Sequence, residues 1–296
     1  MKCLLVYNPV SGRARRFTKK LSYVEKELKK KYDVVDIRAT SYSKEAIEIA
    51  RDACGKYDVV IAAGGDGTFS EVLKGIGEHK HAPVIGYIPS GSCGDIAKNH
   101  NIPNNVKKAL KVILKGNKKA IDLCKINDTY FSYVAAMGAY TTGIYKTDQM
   151  LKAKIGKSAY YIEAIKETFN VKNYTLNIKV GKKVYKENDV ILALVLNTKS
   201  VAGFKYFNYK AKLDDGKIDL VIVKKDILNT PFNVWKIFVG GIENLKDHPN
   251  VRFYSGNELK IDVEEKILWN LDGDKSEFKD IDVKCFKKKI KMFVGD

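Results

Sequence analysis

Residues 57–73 have the sequence YDVVIAAGGDGTFSEVL, and this stretch decides the fold. An apolar, β-branched run stops at the glycines and then resumes with helical spacing, which predicts a strand, a tight loop and a helix. In an open parallel sheet such a loop lies at the carboxyl ends of the strands, where ligands bind. The stretch therefore predicts an α/β fold and the edge of the sheet at which a site should lie.

The loop Gly64-Gly65-Asp66-Gly67-Thr68 is suited to binding phosphate. Glycines let the backbone approach a phosphate closely, and the start of the next helix offers it amide groups and partial positive charge. Asp66 has the opposite charge, so we expect its carboxylate either to face a metal ion or to take a proton from an attacking group. A strand-to-helix turn without a ligand is the alternative, since short glycine motifs also occur by chance.

Strand and helix patterns alternate along the first part of the chain, which predicts a doubly wound parallel α/β domain over residues 1–122. The predicted elements are strands at 3–7, 34–37, 57–63 and 83–88 and helices at 13–31, 43–54, 68–73 and 104–115. Beyond residue 122 strands follow one another, which predicts a mainly antiparallel β domain over 123–296. Its predicted strands are 130–137, 174–180, 189–197, 218–223, 259–263, 266–270 and 282–286, with helices at 155–170 and 231–239. Packing of the last segment of this domain against the first domain is compatible with the sequence.

The composition limits the classes of partner. Lys and Arg number 53 against 35 Asp and Glu, a formal net charge of +18. Such a charge favours anionic partners, such as nucleotide phosphates or acidic lipid headgroups, although a merely solvated lysine surface explains it equally well. No cluster of arginine with aromatic residues suggests base stacking, so we expect no nucleic-acid partner.

The cysteines and the hydropathy pattern predict the compartment. Five cysteines are scattered without CxxC spacing, which indicates reduced thiols in a cytoplasmic protein. No secretion signal precedes the first strand, and no apolar stretch approaches the roughly 20 residues that span a bilayer. We therefore expect a cytoplasmic protein whose contact with a membrane is peripheral.

Several loops should meet at one edge of the predicted parallel sheet. Asn8-Pro9-Val10-Ser11-Gly12 follows the first strand, Thr40 ends the second, and Gly91-Ser92-Cys93-Gly94-Asp95 follows the fourth. One glycine-rich loop is weak evidence, but several at successive strand ends predict a nucleotide phosphate site.

These loops, together with Leu213-Asp214-Asp215-Gly216-Lys217-Ile218-Asp219 and Asn270-Leu271-Asp272-Gly273-Asp274, resemble the ordered motifs of the soluble bacterial diacylglycerol kinase and sphingosine kinase family. The resemblance implies a phosphofructokinase-like nucleotide domain and a C-terminal β-sandwich that receives a lipid. It also implies ATP-dependent phosphorylation of a lipid hydroxyl, with diacylglycerol as the leading acceptor, at the inner surface of an anionic membrane.

The resemblance also implies roles for particular residues. ATP would be held by Asn8, Pro9, Val10, Ser11, Gly12, Thr40, Gly64, Gly65, Asp66, Gly67, Thr68, Phe69, Ser70, Glu71 and Ser92. A structural Mg²⁺ would be held by Asp215 and the backbone carbonyls near Lys212 and Lys217, with Asp66 facing the metal that accompanies the nucleotide. Asp272 or Asp274 would deprotonate the substrate hydroxyl.

Two departures from the family pattern affect these assignments. Ser92, Cys93 and Gly94 replace a Thr-Gly-Asn, which keeps a hydroxyl but loses an amide side chain. Asp274 replaces a glutamate, and the shorter side chain reduces its reach, so we favour Asp272 as the base. Ordinary Asp-Gly turns are the alternative reading of the motifs at 215–216 and 272–273.

Other functions remain open at this point. They are a kinase for a sphingoid base or another lipid alcohol, an NAD kinase-like enzyme, which shares the GGDGT loop, and a non-catalytic regulator that binds nucleotide or lipid. A homodimer is compatible with the sequence as well.

Overall fold

The computed structural model describes residues 1–10, 14–91, 94–138, 172–201, 208, 210–225, 242–245 and 247–296. The helices among them are α1 Ala14–Thr18, α2 Leu21–Lys29, α3 Glu45–Ala53, α4 Asp66–Ile76, α5 Asp95–Asn99 and α6 Val106–Lys115, with a 3₁₀ helix at Ile242–Leu245. The strands among them are β1 Lys2–Tyr7, β2 Val34–Ala39, β3 Val59–Gly64, β4 Val84–Pro89, β5 Lys118–Ile126, β6 Thr129–Phe131, β7 Val134–Gly138, β8 Tyr174–Val180, β9 Lys183–Leu196, β10 Ile218–Lys224, β11 Val251–Gly256, β12 Glu258–Leu271 and β13 Asp274–Phe293.

The first four strands form a parallel layer in the order β2-β1-β3-β4. Every residue of β3 is buried. Because successive side chains of a strand point to opposite faces, both faces of this layer must be covered, as in parallel sheets flanked by helices. The buried apolar side chains of α2, α3, α4 and α6 belong to the same core as β3.

The later strands form an antiparallel path, β11-β10-β9-β7-β12-β13, and β8 pairs with both β12 and β9. Alternate residues of β10 face opposite sides. Ile218, Leu220 and Ile222 lie in a second core, whereas Val221 and Val223 lie in a third. The mixed α/β class and the β-rich C-terminal part that the sequence predicts are thereby confirmed.

Strand β13 connects the two parts of the sheet. Its beginning pairs with β12, its middle and end pair with β5, and Met292 pairs with Ile85 of β4 in parallel. Ile290, Met292 and Phe293 are buried in the core of the parallel layer. The C-terminal segment is therefore part of the N-terminal core.

The predicted helix over 13–31 is wrong in its continuity, since α1 ends at Thr18 and α2 begins at Leu21. The hydroxyl of Thr18 donates to the carbonyl of Ala14 at 3.2 Å, and the amide of Lys20 donates to Phe17 at 2.7 Å. Local bonds of this kind compete with the regular helical pattern and explain the break.

The predicted strand over 130–137 is also interrupted, between Phe131 and Val134. The amides of Ser132 and Tyr133 donate to the carboxylate of Asp272 instead of a neighbouring strand. A side chain from a distant part of the chain thus sets this strand boundary.

Other boundaries differ because strand pairing extends beyond the local pattern. The strands predicted at 259–263 and 266–270 form the single strand β12, which has a register shift between Asp262 and Ile267. The strand predicted at 282–286 is the middle of β13, and α5, β5 and β11 were not predicted.

The helices predicted at 155–170 and 231–239 lie outside the described residues. Within the described ranges, no helix combines the length and the apolar character needed to cross a membrane.

Candidate active site

The glycine loop follows β3 and leads directly into α4, which begins at Asp66. The end of β4 lies beside it, and the amide of Ser90 donates to the carbonyl of Gly64 at 2.7 Å. A Cβ atom on Gly91 would lie only 2.6 Å from the Cα of Gly65. Glycine is therefore needed here because two strand-end loops pack backbone against backbone.

Asp66 joins these two loops. Its carboxylate accepts hydrogen bonds from the amides of Asp95 at 3.0 Å and Ile96 at 3.3 Å and from the hydroxyl of Tyr87 at 3.2 Å. Burial, and next the negative charge of Asp95, raise the pKa of the Asp66 carboxyl, while the three donors act in the opposite direction. The carboxylate thus holds the start of α5 against the glycine loop.

The other predicted strand-end residues lie at the same edge where they are described. The amide of Asn8 donates to Ala63 at 3.1 Å, and the amide of buried Thr40 donates to Tyr7 at 2.9 Å. Val10 is 88% exposed and is bonded through its amide to the side chain of Asn8. Pro9 is also exposed, whereas Ser11, Gly12 and Ser92 lie outside the described residues.

The residues that follow the glycine loop have different environments on α4. Thr68 is buried, and its hydroxyl is where a side chain on Gly64 would collide. Phe69 is 1% exposed and packs edge-on against Tyr87, with 5.1 Å between ring centroids. The Phe69 side chain is therefore part of the core, so only its backbone could meet a nucleotide. Gly67, by contrast, is exposed.

The motif at 272–273 is a two-residue hairpin between β12 and β13, because Leu271 pairs with Asp274. Asp272 has φ of 53° and Gly273 has φ of 106°, which are both positive, as in the type I′ turns that favour Asp-Gly. The side chain of Asn270 accepts the amide of Gly273 at 2.8 Å. The motif is therefore a hairpin turn, and the turn fixes the positions of the two aspartates.

Asp272 is 7% exposed and its carboxylate is fully engaged. It accepts hydrogen bonds from the hydroxyl of Ser70 at 2.6 Å, from the amide and hydroxyl of Ser132, and from the amides of Tyr133 at 3.0 Å and Val134 at 3.1 Å. These five donors come from α4 and from the break between β6 and β7. Asp272 therefore ties the hairpin to both elements.

Asp274 lies two residues further on and is much more accessible, with 48% of its side chain exposed. Its carboxylate pairs with the ammonium of Lys74 at 2.8 Å, and Lys74 is itself only 11% exposed. Ser70 and Lys74 are four residues apart on α4 and so lie on one face. One helix that begins in the glycine loop therefore contacts both aspartates of the hairpin.

Glu71 of α4 is a third carboxylate in this part of the site, in addition to Asp272 and Asp274. Burial, and next the negative charge of Asp274, raise the pKa of the Glu71 carboxyl, whereas Lys74 and Lys44 lower it. Lys74 thus acts electrostatically on two carboxylates, one on its own helix and one on the hairpin.

Residues that the sequence analysis did not select connect the two parts of the protein near the site. Asp95 is 1% exposed and accepts the hydroxyl of Ser200 at 2.7 Å and the ammonium of Lys98 at 3.1 Å. Asn99 is bonded through its side chain to Thr198 and to the amide of Lys199. Asp95 is the last residue of the predicted loop at 91–95, but no pattern in that loop predicts its contact with Ser200.

The turn at 212–217 is held by buried Asp122. Its carboxylate accepts the amides of Gly216 and Lys288, each at 2.7 Å. The carboxylate of Asp215 accepts the amide of Lys217 at 3.0 Å and lines a cavity of about 290 Å³ together with Asp219 and Asn208. Lys212 and Lys217 line the same cavity, and no group of three His, Cys, Asp or Glu side chains suited to a metal occurs among the described residues.

A larger cavity of about 670 Å³ lies where α5, β5 and the loops at 199–200 and 212–214 meet. Its lining contains one carboxylate, that of Asp214, and four lysines, which are Lys98, Lys119, Lys199 and Lys212. Burial, and next the charge of Lys119, lower the pKa of His100 in its wall to about 4, so this imidazole is neutral at neutral pH. Lys119 pairs with Asp214 at 3.3 Å, and Lys98 pairs with Asp95 at 3.1 Å. The remaining positive charge of the lining is therefore that of Lys199 and Lys212.

Comparisons with known proteins agree with this geometry. The diacylglycerol kinase catalytic domain matches residues 2–126. Diacylglycerol kinases of Staphylococcus carnosus and Staphylococcus aureus (strain MRSA252) are each 34% identical to this chain over 271 residues, which cover 91% of it and 87% and 85% of the respective relatives. A crystal structure of a diacylglycerol kinase from Bacillus anthracis superposes with a TM-score of 0.83 at 25% identity, over 99% of this chain and 97% of that one. The chain therefore belongs to the diacylglycerol kinase family.

Proposed function

We propose that this protein transfers the γ-phosphoryl group of ATP to the hydroxyl of a membrane lipid, with diacylglycerol as substrate and phosphatidic acid as product. The observation that carries the proposal is the contact between α4 and the hairpin at 272–274. Through it, Asp274 is held beside the helix that starts in the glycine loop. Phosphoryl transfer requires mainly placement and charge stabilisation, which such an arrangement provides.

We assign the phosphates of ATP to the edge of the parallel layer at which β1, β3 and β4 end and beside which Thr40 lies, and call it the phosphate edge. Backbone approach is closest where Gly65 meets Gly91, and α4 directs its amide end toward this edge. Residues 1–122 would thus be the nucleotide domain of a phosphofructokinase-like fold, and residues 123–296 a β-sandwich for the lipid.

We assign the role of general base to Asp274 and revise the preference for Asp272. The carboxylate of Asp272 already accepts five hydrogen bonds and is 7% exposed, so no lipid hydroxyl can reach it without breaking them. Asp274 is accessible and would accept the proton of the hydroxyl as its oxygen attacks phosphorus. Asp272 would then hold the hairpin in place.

The residues of the 212–217 turn fit a Mg²⁺ ion in the chemistry of their donors. The carboxylate of Asp215 and the carbonyls of Lys212 and Lys217 are hard oxygen ligands, and water would complete the coordination. The ion would supply positive charge that keeps the turn ordered, and Asp122 anchors that turn from the other side.

The cationic cavity and the net charge of +18 support peripheral contact with the inner surface of an anionic membrane. A well-placed lysine contributes about 1 kcal/mol to such binding. The cavity lies beside α5, which the glycine loop holds through Asp66, so a membrane at this face would lie close to the phosphate edge.

The test is to incubate the protein with labelled ATP, Mg²⁺ and one acceptor at a time, and to separate the products. The acceptors are NAD, diacylglycerol in mixed micelles and a sphingoid base in mixed micelles, and micelles without acceptor are the blank. Label is expected on diacylglycerol, and Asp274→Asn should lower the rate of labelling about 100- to 10,000-fold while ATP affinity is retained. Asp280→Asn on the exposed part of β13 is the matched control. Label on NAD, on a sphingoid base alone, or on no acceptor despite ATP binding would refute the proposed function.

The same assay on vesicles examines the membrane contact. Activity and sedimentation with vesicles that contain phosphatidylglycerol should fall as NaCl is raised from 50 to about 500 mM, because salt screens exposed charges. Equal binding to neutral phosphatidylcholine vesicles, or binding that does not change with salt, would contradict it.

A further inference from the structure

Helix α4 sets the spacing between the phosphate edge and the hairpin. Asp66 is its first residue, Ser70 follows after about one turn, and Lys74 after another. An α-helix rises 1.5 Å per residue, so Ser70 and Lys74 are about 6 Å apart along its axis. The hydroxyl of Ser70 donates to Asp272, and the ammonium of Lys74 pairs with Asp274. These contacts place both aspartates at fixed distances from the glycine loop.

Asp272 and Asp274 differ in what restrains them. The carboxylate of Asp272 has five donors, which lie on α4 and in the segment 132–134, whereas the carboxylate of Asp274 has one cationic partner, Lys74, among the described residues. The Asp274 side chain is 48% exposed, so packing alone does not restrict it to one rotamer. Lys74 is 11% exposed, and packing restrains it much more strongly.

A second carboxylate makes the position of this lysine important. Glu71 lies one helical turn before Lys74, and its electrostatic interactions include repulsion from Asp274 and attraction to Lys74. Removal of the ammonium would leave the repulsion between these two carboxylates unopposed, and we expect the half-exposed Asp274 side chain to turn toward solvent.

We propose that Lys74 is the positioning residue that fixes the carboxylate of Asp274 against α4, the helix that begins in the glycine loop. The inference rests on the proposed function, in which Asp274 takes the proton of the lipid hydroxyl. Lys74 itself touches neither substrate; it acts through Asp274. Misplacing a reacting group by about 1 Å can reduce a rate roughly 100-fold, which is the scale of the effect expected here.

A purely structural role is the competing explanation, since Lys74 also lies in the last turn of α4, where a cation interacts favourably with the helix dipole. That role would lower stability without affecting turnover. The two roles therefore differ in their readouts, and turnover at full folding distinguishes them.

The experiment measures kcat, KM for lipid, ATP affinity and the melting temperature for wild type, Lys74→Met, Lys74→Gln and Lys74→Arg. Lys74→Met and Lys74→Gln are expected to lower kcat about 10- to 100-fold with ATP affinity unchanged, because the residue is two turns from the glycine loop. Lys74→Arg keeps the cation and should recover most of kcat. Lys111→Met, on the exposed face of α6, is the matched control.

A double-mutant cycle with Asp274→Asn completes the test. In that background Lys74→Met should cause no further loss of the residual activity, since the lysine acts only through the carboxylate. Equal effects in both backgrounds, or unchanged kcat in all folded Lys74 variants, would overturn the inference alone. A wild-type protein that phosphorylates no lipid alcohol overturns the proposed function, and the inference with it.

Discussion

Two aspartates separated by one glycine have different environments, and these environments divide their roles. Asp272 is buried under five hydrogen-bond donors, whereas Asp274 is accessible and has one cationic partner. A buried carboxylate whose oxygens already accept several hydrogen bonds anchors the chain, whereas an accessible carboxylate can accept a proton from a substrate. Both residues are aspartates in the same hairpin, so residue type alone does not distinguish their roles.

Asp272→Asn should lower the free energy of unfolding by about 1–3 kcal/mol, since the amide group of asparagine would face donors where an acceptor is needed. Asp274→Asn removes one partner of an ion pair whose carboxylate is half exposed, so water can partly replace it, and it should cost less than Asp272→Asn. Urea denaturation of both variants and wild type, followed by circular dichroism, gives the comparison. Equal stability of the two variants would contradict the anchoring role of Asp272.

At the scale of elements, the candidate site depends on loops at successive ends of parallel strands. The loops after β3 and β4 touch through Gly65 and Gly91, and Asp66 binds the first amides of α5. The phosphate edge is therefore a single packed unit whose backbone spacing is fixed by residues without side chains.

Gly91→Ala should disrupt this unit, because the added Cβ would lie 2.6 Å from the Cα of Gly65 and carbon atoms require about 3.5–4.0 Å. We expect ATP to bind at least tenfold more weakly and stability to fall by about 1–3 kcal/mol. Calorimetric titration with ATP and urea denaturation measure the two effects.

Gly67→Ala is the control for stability. A Cβ there meets nothing within 4 Å, and alanine in a helix is favoured over glycine by about 0.5–1 kcal/mol, so this variant should be no less stable than wild type. If Gly91→Ala bound ATP normally at unchanged stability, the close contact between the loops would have no importance for the site.

At the scale of the whole molecule, β13 makes one unit of two regions of different architecture. It starts at the hairpin with Asp274, pairs along β12 and β5, and ends in the core of the parallel layer. The same strand thus carries the proposed base and completes the core that supports the phosphate edge.

Met292→Ala should destabilise the protein by about 2–5 kcal/mol, because this fully buried side chain fills the core of the parallel layer. Lys291→Ala, at the exposed neighbouring position, should change stability by less than about 0.5 kcal/mol. Urea denaturation followed by circular dichroism at 222 nm provides the measurement. Similar stability of the two variants would show that the end of β13 is not part of that core.

The sequence predicted several features that depend on neighbouring residues. The glycine loop between β3 and α4, the parallel first layer and the β-rich later part were all predictable, because hydrophobic periodicity and turn chemistry act over a few residues. Asp272-Gly273 was recognisable as a turn for the same reason. The positions of helices and strands were predicted better than their ends.

The tertiary structure alone decided which distant groups meet. Ser70 and Asp272 are 202 positions apart, and the same carboxylate also determines where β6 ends, because it accepts the amide of Ser132. The preference for Asp272 over Asp274 followed from side-chain length, but burial and hydrogen bonding favour the opposite assignment. Such contacts depend on how all the elements pack, which no local pattern encodes, whereas strand, loop and helix follow from interactions within a short stretch of chain.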